Sequence, residues 1–340
     1  MYALSDNDPA AEYDEQALAE LIYRNKDQMP IEIFRLNIAK PVPIENLLIQ
    51  YGPRLEAAEE DTVPKPDVKP IAEYGDIYEL GPHRLVCGDA TEEWAYKALM
   101  GEEKADMVFT DPPYNVNYEG DKFSKIMNDD MDPELFIKFT ELFMQRLKDA
   151  TKPGGVLYIC SGYSSYPPFV YCMQKIGLYY SGPIIWVKNQ SSMGFEDYKK
   201  KHEMVLQAKK KAKKALPILY GWNGGRHYFA SDKFEADVWE MARRASTTML
   251  HPTQKPLALV QRALRNSSRT KESVLDPFAG SGSTLVAAER EGRVARVMEL
   301  DPIYVDTIIR RYAALGGPNE HEIRETKKKA AIPKKKEEGK

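Results

Sequence analysis

The stretch from Glu272 to Arg290 constrains the fold more than any other part of the chain. A short apolar run, Ser273-Val274-Leu275, leads into Asp276-Pro277-Phe278-Ala279-Gly280-Ser281-Gly282-Ser283-Thr284, and Leu285-Val286-Ala287-Ala288-Glu289-Arg290 continues with helix-forming residues. This is a strand, a glycine turn and a helix. Gly280 and Gly282 let the backbone turn sharply and approach a ligand closely, while the helix directs its first N–H groups at the turn. A phosphate loop would place a lysine after its glycines; Ser281-Gly282-Ser283-Thr284 has none, which argues against a nucleoside triphosphate. The spacing also departs from the dinucleotide fingerprint. A second strand, Arg296-Val297-Met298-Glu299-Leu300, ends in an acid 17 residues beyond Gly282. That is close to the ~20 expected of a carboxylate that accepts ribose hydroxyls, so Glu299 is the candidate ribose ligand.

A second motif lies far upstream. Asp106-Met107-Val108-Phe109-Thr110 reads as a buried strand ending at Asp111-Pro112-Pro113-Tyr114. Open α/β sheets place ligands beyond the carboxyl ends of their strands. Both prolines lack an N–H, so the carbonyls here are free to accept hydrogen bonds. An amino group on an aromatic base is a poor nucleophile because its lone pair is delocalised into the ring. The Asp111 carboxylate and a carbonyl of Pro112 or Pro113, aimed at its two hydrogens, favour a pyramidal nitrogen with an available lone pair. Tyr114 offers a flat face for stacking, worth roughly 1–3 kcal/mol per base in nucleic-acid sites. Taken alone, Asp-Pro-Pro is also ordinary turn punctuation.

The two motifs together resemble the amino-group DNA methyltransferases that use S-adenosylmethionine, in the circularly permuted β class, where Asp-Pro-Pro-Tyr precedes Phe-x-Gly-x-Gly. The resemblance covers about Gly75 to Tyr312 and includes Gly88-Asp89-Ala90-Thr91, Trp186-Val187-Lys188-Asn189 and His251-Pro252-Thr253-Gln254-Lys255-Pro256 in family order. It implies a Rossmann-like seven-stranded methyltransferase sheet. It also implies catalytic Asp111, Pro112, Pro113 and Tyr114. Donor contacts are implied at Asp89 and Ala90 beside the adenine, at Thr253 and Lys255 near the methionine carboxylate, and at Asp276, Phe278, Ala279, Gly280, Gly282, Glu299 and Leu300. Adenine N6 is the expected acceptor because Asp, not Ser, opens the first motif; cytosine N4 uses the same geometry. A noncatalytic DNA-binding regulator on this scaffold is the reading from a different class.

The net charge of −3 conceals an uneven distribution, with acids concentrated in residues 1–70 and the remainder mildly basic. Lysines cluster from Lys199-Lys200-Lys201 through Lys209-Lys210-Lys211-Ala212-Lys213-Lys214, followed by Tyr220, Trp222, Arg226, His227, Tyr228 and Phe229. Clustered lysines suit phosphates, and Arg with aromatics suits base edges or stacking. In the resembled class the target-recognition region occupies this same interval, so the resemblance implies that residues 189–250 are the target-recognition insertion for double-stranded DNA. Its candidate contacts are Lys199, Lys200, Lys210, Lys211, Arg226, Arg243 and Arg244. A solvated lysine-rich loop would read the same way at any single position. Cys87, Cys160 and Cys172 lack metal-ligand spacing and read as reduced core residues. No apolar stretch is long enough to span a bilayer and no secretory signal is evident, so the expected setting is the cytoplasm of a prokaryotic cell or phage-infected host. Monomer and homodimer are both compatible with the sequence.

Strands alternating with helices imply an α/β fold with a mostly parallel sheet covered on both faces. The expected division is an acidic helical segment and Pro-rich linker over 1–70, a catalytic half over 71–188, the insertion over 189–250, a donor-binding half over 251–316, and a disordered lysine-rich tail over 317–340. The beginning of the chain, Ala3-Leu4-Ser5-Asp6-Asn7, is similar to the trailing end of ParB-like domains; a small helical docking element is expected there. Polar Asn115 to Asp132 reads as a mobile loop over the site.

Overall fold

The computed structural model describes residues 63–64, 69–117, 127–188, 214–230, 237–240 and 255–333, all within the unit Val63–Lys340. The expected N-terminal helices, a strand expected at Glu203–Gln207, and Thr253, Lys199, Lys200, Lys210, Lys211, Arg243 and Arg244 lie outside the described residues.

Strands β1 (Asp76–Leu80), β2 (His83–Cys87), β3 (Ala105–Thr110), β4 (Thr151–Cys160), β5 (Tyr179–Lys188), β6 (Lys214–Trp222), β7 (Val238–Glu240), β8 (Ser273–Asp276), β9 (Val294–Glu299) and β10 (Lys328–Lys329) form one sheet in the order β10-β1-β2-β9-β8-β3-β4-β6-β5-β7. The contiguous seven from β2 to β5 make the expected methyltransferase sheet. Within it, β2, β9, β8, β3 and β4 are parallel and β6 alone is reversed, antiparallel to both β4 and β5. The short strands β1, β10 and β7 extend the edges.

Helices cover both faces because the central strands are apolar on both sides. Met107 and Phe109 of β3 face one core layer, which they share with α4 (Leu257–Ser267), α5 (Ser283–Arg290) and α6 (Pro302–Ala313). Val108 faces the other, shared with α1 (Glu93–Met100), α2 (Pro133–Ala150) and α3 (Tyr166–Lys175). Helix α2 shows how local sequence sets such an element. Asp132 caps it by accepting from Glu134 N–H at 2.9 Å, Pro133 occupies the first turn, and Phe136, Phe139, Phe143 and Leu147 recur at helical spacing on its buried stripe. All three cysteines are buried free thiols; burial raises Cys87 to about 12 and Cys172 to about 11.

The tail expected to be disordered from residue 317 is instead ordered through residue 333. Asn319 and Glu322 form a reciprocal capping box on α7 (Glu320–Glu325), Ile323 is fully buried, and β10 pairs with β1. Composition alone suggested a solvated lysine run. Lys327 and Lys329 instead reach the buried Asp76 at 2.8 and 2.6 Å, and Arg324 reaches the buried Asp306 at 2.8 Å.

Candidate active site

Parallel β3, β8 and β9 end side by side, and so bring Asp111, the 276–282 turn and Glu299 to one rim. A single pocket there is lined by Asp89, Ala90, Asp111, Pro112, Pro113, Tyr114, Lys255, Asp276, Phe278, Ala279, Gly280, Glu299 and Leu300. Every expected catalytic or donor-contact residue within the described set is on that lining except Gly282, which lies behind it as the α5 cap.

The turn is held by its own chemistry. Gly280 and Gly282 have φ of 53° and 85°, the left-handed region that L side chains disfavour. Gly280 N–H donates to Glu299 Oε2 at 2.7 Å, and Asp301 N–H donates to Oε1 at 2.9 Å. Burial pushes the Glu299 carboxyl up to about 7 against the pull of those two N–H donors. Asp276 does other work. Its Oδ1 accepts from Thr110 Oγ1 at 2.7 Å and Phe278 N–H at 3.0 Å, and its Oδ2 from Thr284 Oγ1 at 2.6 Å, so it fastens the turn to β3 and α5. Burial raises it to about 6, opposed by the same hydrogen bonds. Asp276, expected among the donor contacts, lines the pocket and also braces the loop through these hydrogen bonds. Phe278 meets Phe143 edge-on at 5.2 Å and so presents an apolar edge to the pocket.

On the β3 side, Tyr114 hydroxyl donates to Asp111 Oδ1 at 2.5 Å, and Lys255 Nζ forms an ion pair with Oδ2. Burial, followed by the nearby Asp111 charge, raises the Tyr114 phenol well above its ordinary value. Two contacts here were not legible in the sequence. Gly162 lies so close to the Tyr114 ring that an added Cβ would sit 2.9 Å from Cδ2. The buried Asp129 accepts from Tyr114 N–H at 3.0 Å and Val116 N–H at 3.3 Å. Asn115 exchanges hydrogen bonds with Met131 N–H and C=O at 2.6 and 2.9 Å. Both ends of the segment expected to be a mobile loop are thereby pinned; residues 118–126 lie outside the described set.

Arg226 falls elsewhere. Because β6 is reversed, its end Trp222 pairs with Val156, midway along β4, and with Tyr179 at the start of β5. The Arg226 carbonyl then packs against Gly154, where a Cβ would meet it at 2.1 Å. Thr110, which precedes Asp111, pairs with Ile159 near the end of β4. Arg226 is therefore roughly 15 Å along the strand from Asp111, on the opposite rim. Arg226, expected among the base or phosphate contacts, thus lies away from the rim that carries Asp111. Trp222, one of the aromatics in this stretch, is stacked on His227 at 4.0 Å.

A family model described as DNA methylase, of the N6/N4 type, matches residues 105–310. The chain belongs to this family of DNA methyltransferases. The methylase is 28% identical over 233 residues to the type II methyltransferase M.HpaI of Haemophilus parainfluenzae, covering 66% of this chain and 72% of that protein. It is 26% identical over 242 residues to the type II methyltransferase M.HinfI of Haemophilus influenzae, covering 65% and 66%. Its fold matches the PvuII DNA methyltransferase, described as cytosine-N4-specific, with a TM-score of 0.54 at 15% identity, over 71% of this chain and 90% of that one. Among the described residues no helix of the methylase is long and apolar enough to cross a membrane, and no His, Cys, Asp and Glu group could hold a metal.

Proposed function

We propose that the methylase transfers a methyl group to the N6 of adenine in duplex DNA, acting on a base turned out of the helix. The observation that carries this reading is one pocket lined by both Asp111 and the Gly280–Glu299 pair. S-adenosylmethionine is the methyl donor; when bound it supplies an electrophilic methyl carbon on a sulfonium. The residues present fit it: left-handed glycines leave room at the turn, the Glu299 oxygens retain lone pairs for ribose hydroxyls, and Phe278 and Ala90 offer apolar surface for a ring.

Asp111 and a carbonyl of Pro112 or Pro113 accept the two amine hydrogens and so localise the nitrogen lone pair. The bound donor would supply its methyl carbon to that lone pair, with the electron pair of the broken carbon–sulfur bond remaining on sulfur. The surplus proton then leaves the nitrogen past Asp111 to water. Turning a base out costs a few kcal/mol, which stacking in the pocket offsets. The basic segment 189–213 joins the end of β5 to the start of β6, and the paired anchors Lys188 and Lys214 lie at the rim that carries Asp111. That arrangement supports a DNA-binding role for its lysines.

Nucleosides from methylated DNA, resolved by mass spectrometry, should contain N6-methyladenine. N4-methylcytosine alone would overturn the base assignment. Asp111→Ala should abolish transfer while donor binding by calorimetry persists; near-normal methylation by this variant would remove Asp111 from the mechanism.

A further inference from the structure

We infer that Lys255 serves Asp111 rather than the methyl donor: it is a positioning residue that holds the carboxylate in the orientation from which it receives the target amine. This rests on the methyl transfer proposed above. Lys255 immediately precedes Pro256, the N-cap of α4, and a residue before proline is biased toward extended backbone. Its side chain is only 7% exposed and ends in the ion pair with Asp111 Oδ2, with Nζ 5.6 Å from the centre of the Tyr114 ring. A buried ammonium is costly unless paired, so the pairing is part of how this segment packs.

The consequence for Asp111 is geometric. The terminal torsion of an aspartate is broad, and one fixed contact would leave the carboxylate plane free to turn. Here each oxygen has its own donor, Tyr114 on Oδ1 and Lys255 on Oδ2. Each oxygen keeps a second lone pair for an amine hydrogen, in a direction set by those two donors. The two donors come from segments far apart in sequence, so the carboxylate is aimed only when both halves of the sheet are assembled. A lysine committed to the carboxylate of the methyl donor would have to abandon this pair, and the two roles predict different kinetics.

The test compares Lys255→Met and Lys255→Arg in the full chain, with donor affinity from calorimetry and single-turnover methylation at saturating donor. Lys255→Met should keep the donor Kd within about threefold of wild type. Its transfer rate should fall about 100-fold, the scale of a misplacement near 1 Å. Lys255→Arg should recover much of that loss, because its guanidinium reaches the same carboxylate. Adding Lys255→Met to Asp111→Asn should cost little beyond the single change, since the two act through one contact. A donor Kd weakened about tenfold or more with an unchanged transfer rate would place Lys255 on the donor and overturn the inference. An unchanged rate and Kd would overturn it too. Should Lys255→Met fail to fold, Lys255→Gln provides the same comparison. If wild type methylates no DNA, the proposed function fails by itself, and the donor-affinity comparison still decides where Lys255 acts.

Discussion

Asp276 and Glu299 end neighbouring strands and are both pushed toward neutrality, yet Asp276 commits three lone pairs to hydrogen bonds inside the fold while each Glu299 oxygen keeps one for a ligand. Its raised value of about 7 fixes a pH dependence. Below that pH the free enzyme carries a protonated Glu299, and binding a donor whose hydroxyls prefer the carboxylate must release that proton. Donor affinity should therefore weaken as pH falls from 8 to 6 and level off above about 7, approaching tenfold per unit at the acid end. Calorimetry across that range should show the slope, and Glu299→Gln should remove it. Gly162→Ala should lower the methylation rate without unfolding the protein, because the new Cβ meets the Tyr114 ring at 2.9 Å; an unchanged rate at saturating substrates would dismiss the contact. At this scale residue type and spacing in the sequence were enough to pick out Asp111 and Glu299, which line one pocket. It did not reveal Gly162, Asp129 or the bracing role of Asp276, because those depend on which strand end lies beside which.

Elements with strong periodicity were legible: α2, α3, α4 and α6 fall where apolar spacing puts them, and β3, β8 and β9 where short apolar runs end in motif residues. Strand β6 was not, since a proline at 217 and a lysine-rich approach disguise it, and it is sheet pairing with β4 and β5 that makes it a strand. The α7–β10 strap was hidden for the same reason: its lysines look solvated until Asp76 is brought beneath them. The strap carries a prediction. Arg324→Ala leaves the fully buried Asp306 without its cation and should destabilise the fold by about 3 kcal/mol, read as a lower urea midpoint. The α5 cap carries another. Gly282→Val forces a branched side chain into φ +85° with Ile308 3.1 Å from its Cβ, so donor affinity should drop as the turn shifts. Equal donor Kd in variant and wild type would show that the turn tolerates the strain.

For the molecule as a whole, the net charge of −3 belongs to a chain whose lysines are concentrated between β5 and β6. DNA affinity should consequently fall steeply with salt. Replacing Lys209, Lys210, Lys211 and Lys213 with serine should weaken binding to all sequences alike and flatten the log–log salt slope by about 0.9 for each lost phosphate contact. A gel-shift series in rising NaCl measures both, and an unchanged slope would mean these lysines face water. The reversal of β6 has a larger consequence. It makes β5 and β6 a hairpin, paired from Tyr179–Trp222 to Lys188–Lys214 with one register shift between Tyr180 and Gly182, and its Lys188–Lys214 end lies at the rim that carries Asp111. A hairpin tip is the one place where chain can be lengthened, shortened or exchanged while every sheet neighbour keeps its partner. Segment 189–213 can therefore change in length and sequence while the strand pairing that holds Asp111 and the 276–282 turn in place stays fixed.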